Sequence, residues 1–172
     1  MALAAVVGIV ALGVALRSGP SESPFTASAP PLALPSGATA SPTSPGSANG
    51  PVRLEAPAGG IDLAVVEGDG VHVPLNLAAH YPGTAEPGPS GNAVYYAHAQ
   101  PGMFLGLYRL HLGDPVRVVQ RDGTAMTFHV AAFKRVAFND RSVLAPTPFG
   151  ELTLLTCTSY DPYTPRFIVI AT

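Results

Sequence analysis

In the stretch LTLLTCTSYDPYTPRFIVI, residues 152–170, two apolar runs flank a polar break that carries two prolines. Leu152 to Cys157 and Arg166 to Ile170 have the length and the leucine and β-branched content of buried strands, and the break between them suits a hairpin. The same grain recurs upstream in Val52 to Ala56, Ile61 to Val66, Ala93 to Ala97, Pro115 to Gln120 and Thr127 to Ala137. Turn chemistry separates these runs, notably Glu67-Gly68-Asp69-Gly70 and Arg121-Asp122-Gly123. Helical turns are expected only near Leu75 to Ala79 and Gly102 to Leu107. Seven or eight short strands between residues 52 and 172 predict an all-β domain closed, or nearly closed, into a barrel.

Upstream of the strands the composition changes twice. Met1 to Leu16 (MALAAVVGIVALGVAL) carries no charge, and Arg17 closes the run. At about 1.5 Å per residue a helix of this length covers roughly 24 Å, somewhat less than the ~30 Å hydrocarbon core, so residues 1–17 are expected to be a transmembrane signal-anchor with Arg17 snorkelling. A cleaved signal peptide is the alternative, with Ala27-Ser28-Ala29 in the form of a cleavage site. Residues 18–51 are Ser, Pro, Ala, Gly and Thr with almost no charge and one aromatic, Phe25, and cannot bury a core. They are expected to form a flexible tether that keeps the domain at 52–172 near the outer face of a membrane.

At 172 residues, with 47% hydrophobic and 12% charged side chains, the chain has room for one compact domain and its tails. A formal charge of −2 and no run of Lys or Arg give no electrostatic footing for nucleic acid. The single cysteine rules out an intramolecular disulfide and a Cys-based zinc cluster. The five histidines, His72, His80, His98, His111 and His129, show no metal-ligand spacing, and the carboxylates, among them Asp62, Glu67, Asp69, Glu86, Asp114, Asp122, Asp140, Glu151 and Asp161, are scattered. Neither a metal nor another cofactor is expected.

Cys157 ends an apolar strand, where a thiol is either an inert buried group or a nucleophile presented at a strand end. Arg166 lies nine residues on and opens the next strand, so a hairpin can bring its guanidinium beside the thiol, where it would stabilise thiolate and oxyanion. His98 follows the strand Asn92 to Ala97 and precedes the small-residue loop Ala99-Gln100-Pro101-Gly102. An imidazole there can protonate a leaving amine and deprotonate an incoming one. Thr156 and Asp161 are further candidates: Thr156 beside the thiol, and Asp161 in the following loop, to meet substrate or orient Arg166.

These residues carry a family resemblance. Thr153-Leu154-Leu155-Thr156-Cys157 resembles the TLxTC signature of sortases, with an Arg at the expected place on the following strand. Ala79-His80-Tyr81-Pro82-Gly83-Thr84, then Gly91-Asn92-Ala93-Val94 and His98, resembles the HYPGTALPG…GNVVIAGH block of sortases of the class D type, with class E as the alternative. Met103 to Asp114 is similar to the family's F-x-x-L-x-x-L-x-x-GD stretch, so the match runs from Val52 to Thr172. The chain departs from the pattern at Ala97, where the family has Gly, and at Thr158-Ser159-Tyr160 after the thiol.

The resemblance implies an eight-stranded sortase barrel, with secreted proteins bearing a C-terminal LPxTG-like sorting signal as substrates. It further implies Cys157, His98 and Arg166 as the catalytic set. The acceptor would be an amine on a peptidoglycan precursor or a pilin lysine. Two other readings stand beside it: a sortase-like barrel serving as an inactive envelope scaffold, and an L,D-transpeptidase. The latter's signature places an Arg two residues after the Cys, not nine.

Overall fold

A computed structural model describes residues 50–159 and 161–172, all within one compact unit; the expected membrane segment 1–17 and the tether, save its last two residues, lie outside them. Eight strands form a closed barrel: β1 (Pro51–Ala56), β2 (Ile61–Glu67), β3 (Leu77–His80), β4 (Gly91–Tyr96), β5 (Pro115–Gln120), β6 (Ala125–Val136), β7 (Gly150–Cys157) and β8 (Arg166–Ala171). Around the barrel they run β1-β2-β3-β4-β7-β8-β6-β5, and β5 returns to β1. The pairs β2–β3 and β4–β7 are parallel; the rest are antiparallel. Residue 51, assigned by its composition to the tether, already pairs with Gln120 as the first residue of β1.

Alternation along the strands decides what fills the barrel. Leu54, Ile61, Tyr95, Val118, Leu154 and Val169 belong to one buried cluster, closed by Phe104 and Leu107 from a 3-10 segment, Phe104–Arg109. The helical turn expected at Gly102 to Leu107 is thus present as 3-10 helix, shifted by two residues.

The turn expected near Leu75 to Ala79 is not helical. Asn76 takes a left-handed conformation (φ 58°) after Pro74, which turns the chain sharply and starts β3 at Leu77. Ala78, Ala79 and His80 are buried, and a two-sided strand of small apolar residues has the composition of a helix segment.

Candidate active site

β7 ends at Cys157, β8 begins at Arg166, and the two are opposed across the hairpin. Opposed residues of an antiparallel pair point to the same face, so strand pairing itself sets thiol and guanidinium side by side. His98 arrives from the parallel neighbour. The β4–β7 register holds a constant offset of 59 residues, from Gly91 with Gly150 to Tyr96 with Leu155. Beyond the last pair, Ala97 N–H donates to the Leu155 carbonyl at 3.3 Å and the buried Thr156 hydroxyl donates to the Ala97 carbonyl at 2.8 Å. Continued by two residues, this register sets His98 level with Cys157. Leu152, Leu154, Ala93, Tyr95 and Ala97 face the core, so alternation puts Cys157 and His98 on the outer side of the barrel wall.

Cys157, His98 and Arg166 line one cavity of about 630 Å³, with Leu105, Tyr108 and Arg135 on its other walls. A second cavity, of about 270 Å³, runs on from Cys157 and Arg166 past Tyr96, Thr156, Phe138 and Arg141. The thiol is half-buried and stands where the two meet. The larger is of the size that takes a small ligand.

Arg166 is oriented by its own loop: Nη1 donates to the Thr164 carbonyl at 3.0 Å and Nη2 to the Pro162 carbonyl at 2.9 Å. With five N–H donors and two engaged, the guanidinium keeps donors for a substrate oxygen. His98 is held by Nε2, which donates to the Val73 carbonyl at 3.0 Å. Since a carbonyl only accepts, Nε2 carries a proton in this arrangement.

Val73 sits in the connection between β2 and β3, and Asp69 builds that connection. Its Oδ1 accepts the N–H groups of Val71 (2.8 Å) and His72 (2.7 Å), and its Oδ2 lies 2.6 Å from His72 Nδ1. The His72 side chain first, then these two amides, holds the Asp69 carboxyl well below the usual carboxylate range. Gly68 N–H donates to the His80 carbonyl and Gly70 N–H to the Tyr96 hydroxyl, tying the loop to the wall beneath. In sequence this segment shows only turn chemistry.

Tyr108 is the other contributor without a sequence signal. It stacks on Phe167 with ring centroids 4.3 Å apart and planes 13° from parallel, and its hydroxyl donates to the Cys157 carbonyl at 3.4 Å. Burial and the nearby Cys157 push its phenol up, while Arg135 opposes them.

The two further sequence candidates are engaged within the protein, and of them Thr156 lines the smaller cavity. Thr156, 1% exposed, spends its hydroxyl on Ala97 and so fixes the strand end before His98. Asp161 lines neither cavity. Its Oδ1 accepts the Tyr163 N–H, and its carbonyl accepts from Thr164 N–H and Oγ1, so it shapes the β7–β8 loop, while Arg166 is held by backbone carbonyls.

The carboxylates, scattered in sequence, are partly gathered by the fold. Glu67 and Glu86 come together with the buried His80, ligand-type atoms within 4.8 Å of one another. His80 Nε2 faces the Ala85 carbonyl (3.0 Å) and Thr84 Oγ1 (3.1 Å), and Nδ1 lies 3.2 Å from Glu67 Oε2, so the ring pins the β3–β4 connection onto β2.

A closed barrel that carries a thiol, an imidazole and a guanidinium at adjoining strand ends defines a class of barrels built for thiol chemistry, and comparison with known proteins narrows it. The sortase-domain family model matches residues 54–172, and the chain belongs to the sortase family. Among solved structures it is similar to sortase C-1 from Streptococcus pneumoniae (33% identity, TM-score 0.62, covering 69% of this chain and 64% of that one). It is also similar to Streptococcus agalactiae sortase C1 in complex with MTSET (25% identity, TM-score 0.62, 70% and 65%). Listeria monocytogenes sortase A shares the fold (21% identity, TM-score 0.61, 70% and 85%). The chain thus spans less than two thirds of the length of either sortase C. Among curated proteins none matches it.

Proposed function

We propose that the chain is a cysteine transpeptidase that cuts an LPxTG-like sorting signal between Thr and Gly and joins the Thr carboxyl to an amine. The observation that carries this reading is the convergence of Cys157, His98 and Arg166, from three strands, on one cavity. Cys157 Sγ attacks the Thr carbonyl carbon, Arg166 stabilises the oxyanion, and the C–N bond breaks as His98 protonates the departing Gly nitrogen, leaving a thioester. An amine then attacks that carbon, gives its proton to His98 and expels the Cys157 thiolate. The smaller cavity, beside β4 and β7, suits the extended sorting peptide.

The motif at residues 79–98 supports a class D-like subclass, with class E as the alternative. The apolar run at residues 1–16 and the Pro- and Ser-rich stretch after it support a single-pass anchor with the domain outside the membrane. Substrates and acceptor would then reach the thiol along the same surface.

The test uses the full-length chain with quenched fluorescent peptides carrying LPxTG and LAxTG, with and without an added amine, beside Cys157→Ala. Thr-Gly cleavage absent from the variant, with the amine-joined product seen by mass spectrometry, is the expected result. Silence with every peptide from a folded protein would leave a non-catalytic envelope scaffold instead.

A further inference from the structure

The charge at the larger cavity is not the charge of the chain. The protein carries a formal −2, yet among the described residues the charged side chains lining that cavity are Arg135 and Arg166, joined by His98 and by no carboxylate. The smaller cavity mixes signs, with Asp140 beside Arg141 and Arg166. Two Arg166 donors are held by the Pro162 and Thr164 carbonyls, and the rest serve the oxyanion in the reading above. Arg135 makes no ion pair or hydrogen bond with another described residue, and its charge is felt at the Tyr108 hydroxyl. It stands on β6 opposite Phe167, the ring on which Tyr108 stacks, and Tyr108 in turn reaches the Cys157 carbonyl. An unpaired guanidinium therefore lines the same cavity as the thiol.

His98 places the amine steps, departure and entry alike, in this cavity. It lines the larger cavity and not the smaller, and the amine steps are the ones that need an imidazole. On the transpeptidase reading just given, we propose that Arg135 selects the acceptor: a small amine carried on a molecule that also bears a free carboxylate, as an amino acid or short peptide does. The amine nitrogen bonds to the thioester carbon, the C–S bond breaks, the amine proton passes to His98 and Cys157 regains its thiolate, while the carboxylate rests on Arg135. Guanidinium and carboxylate match in a two-pronged geometry that a lone amine cannot use. The lysine side chain of a folded protein, with no carboxylate of its own to offer, gains nothing from Arg135.

The experiment supplies the full-length enzyme and its cleaved peptide with a series of straight-chain ω-amino acids, in which a growing run of methylenes separates a primary amine from a carboxylate, and with their primary amides. The ratio of acid-joined to amide-joined product is read by mass spectrometry, so a change in overall rate common to both cancels. At the chain length that spans thioester to Arg135, the wild type should favour acid over amide by roughly tenfold, the worth of one charge-assisted contact. Arg135→Gln should bring the ratio close to one, and Arg135→Lys should keep part of it. Equal use of acids and amides by the wild type, or an undiminished ratio in Arg135→Gln, would overturn the proposal and favour a protein lysine as acceptor. No cleavage of any peptide would instead remove the transpeptidase reading, and this inference with it.

Discussion

Arg166 donates to carbonyls two and four residues behind it, so its guanidinium is aimed before any substrate arrives. A lysine there keeps the charge but has neither the planar fork nor the reach to span both carbonyls. Arg166→Lys should therefore lower kcat by about 10²–10³, the scale for losing one oxyanion donor, with the far-UV spectrum unchanged. Thr156→Val removes one hydroxyl at nearly constant volume and leaves the buried Ala97 carbonyl short of a partner. A loss of about 1–3 kcal/mol in denaturant unfolding is expected, with a larger effect on activity than so small a change otherwise brings, because Ala97 precedes His98. Asp69 gives a pH dependence. Its carboxyl is depressed in the folded loop, so its contribution is complete above the unfolded value of about 3.9 and fades as pH falls below it. Amide protection at Val71 and His72 should hold at neutral pH and be lost first on acidification below that value. Protection that disappears between pH 7 and 5 would contradict this.

Of the site, the thiol, imidazole and guanidinium were readable in the sequence for a physical reason: strand pairing turns spacing into geometry. The 59 residues between His98 and Cys157 equal the β4–β7 register offset, and Arg166 is the hairpin partner of Cys157. Val73 and Tyr108 were not readable, because their places depend on how a loop and a 3-10 segment lie across the barrel, and Arg135 was not, because the β6–β8 register shifts between Val130 and Ala132, which spacing alone does not announce. β3 was missed for a related reason, since four residues with no alternation give no period to detect. The 3-10 segment depends on a close glycine contact. A Cβ on Gly106 would collide with the Gly59 carbonyl and approach the Ile61 side chain to 2.7 Å. Gly106→Ala should cost about 1–3 kcal/mol, read from the unfolding midpoint, and should shift Leu105 and Tyr108 at the cavity wall.

Closure binds the eight strands into one unit. Three pairs, β4–β7, β6–β8 and β5–β1, join strands that are not consecutive in the chain, so no hairpin can leave without breaking a ladder on each side. Unfolding by urea should accordingly be a single transition, with thiol accessibility at Cys157 and far-UV circular dichroism tracing the same curve. Separate curves would mean that the β7–β8 end opens on its own. Refolding should fall in the millisecond-to-second range of non-local β topologies.

The stacked pair of Tyr108 and Phe167 has an optical corollary. The chain holds six tyrosines and no tryptophan, so its near-ultraviolet emission belongs to phenols alone. One of those phenols touches the carbonyl of the residue that would carry the acyl group. Loading and unloading of the thiol should therefore alter the protein's own fluorescence, and each turnover could be followed in real time without a dye on the enzyme or its peptide.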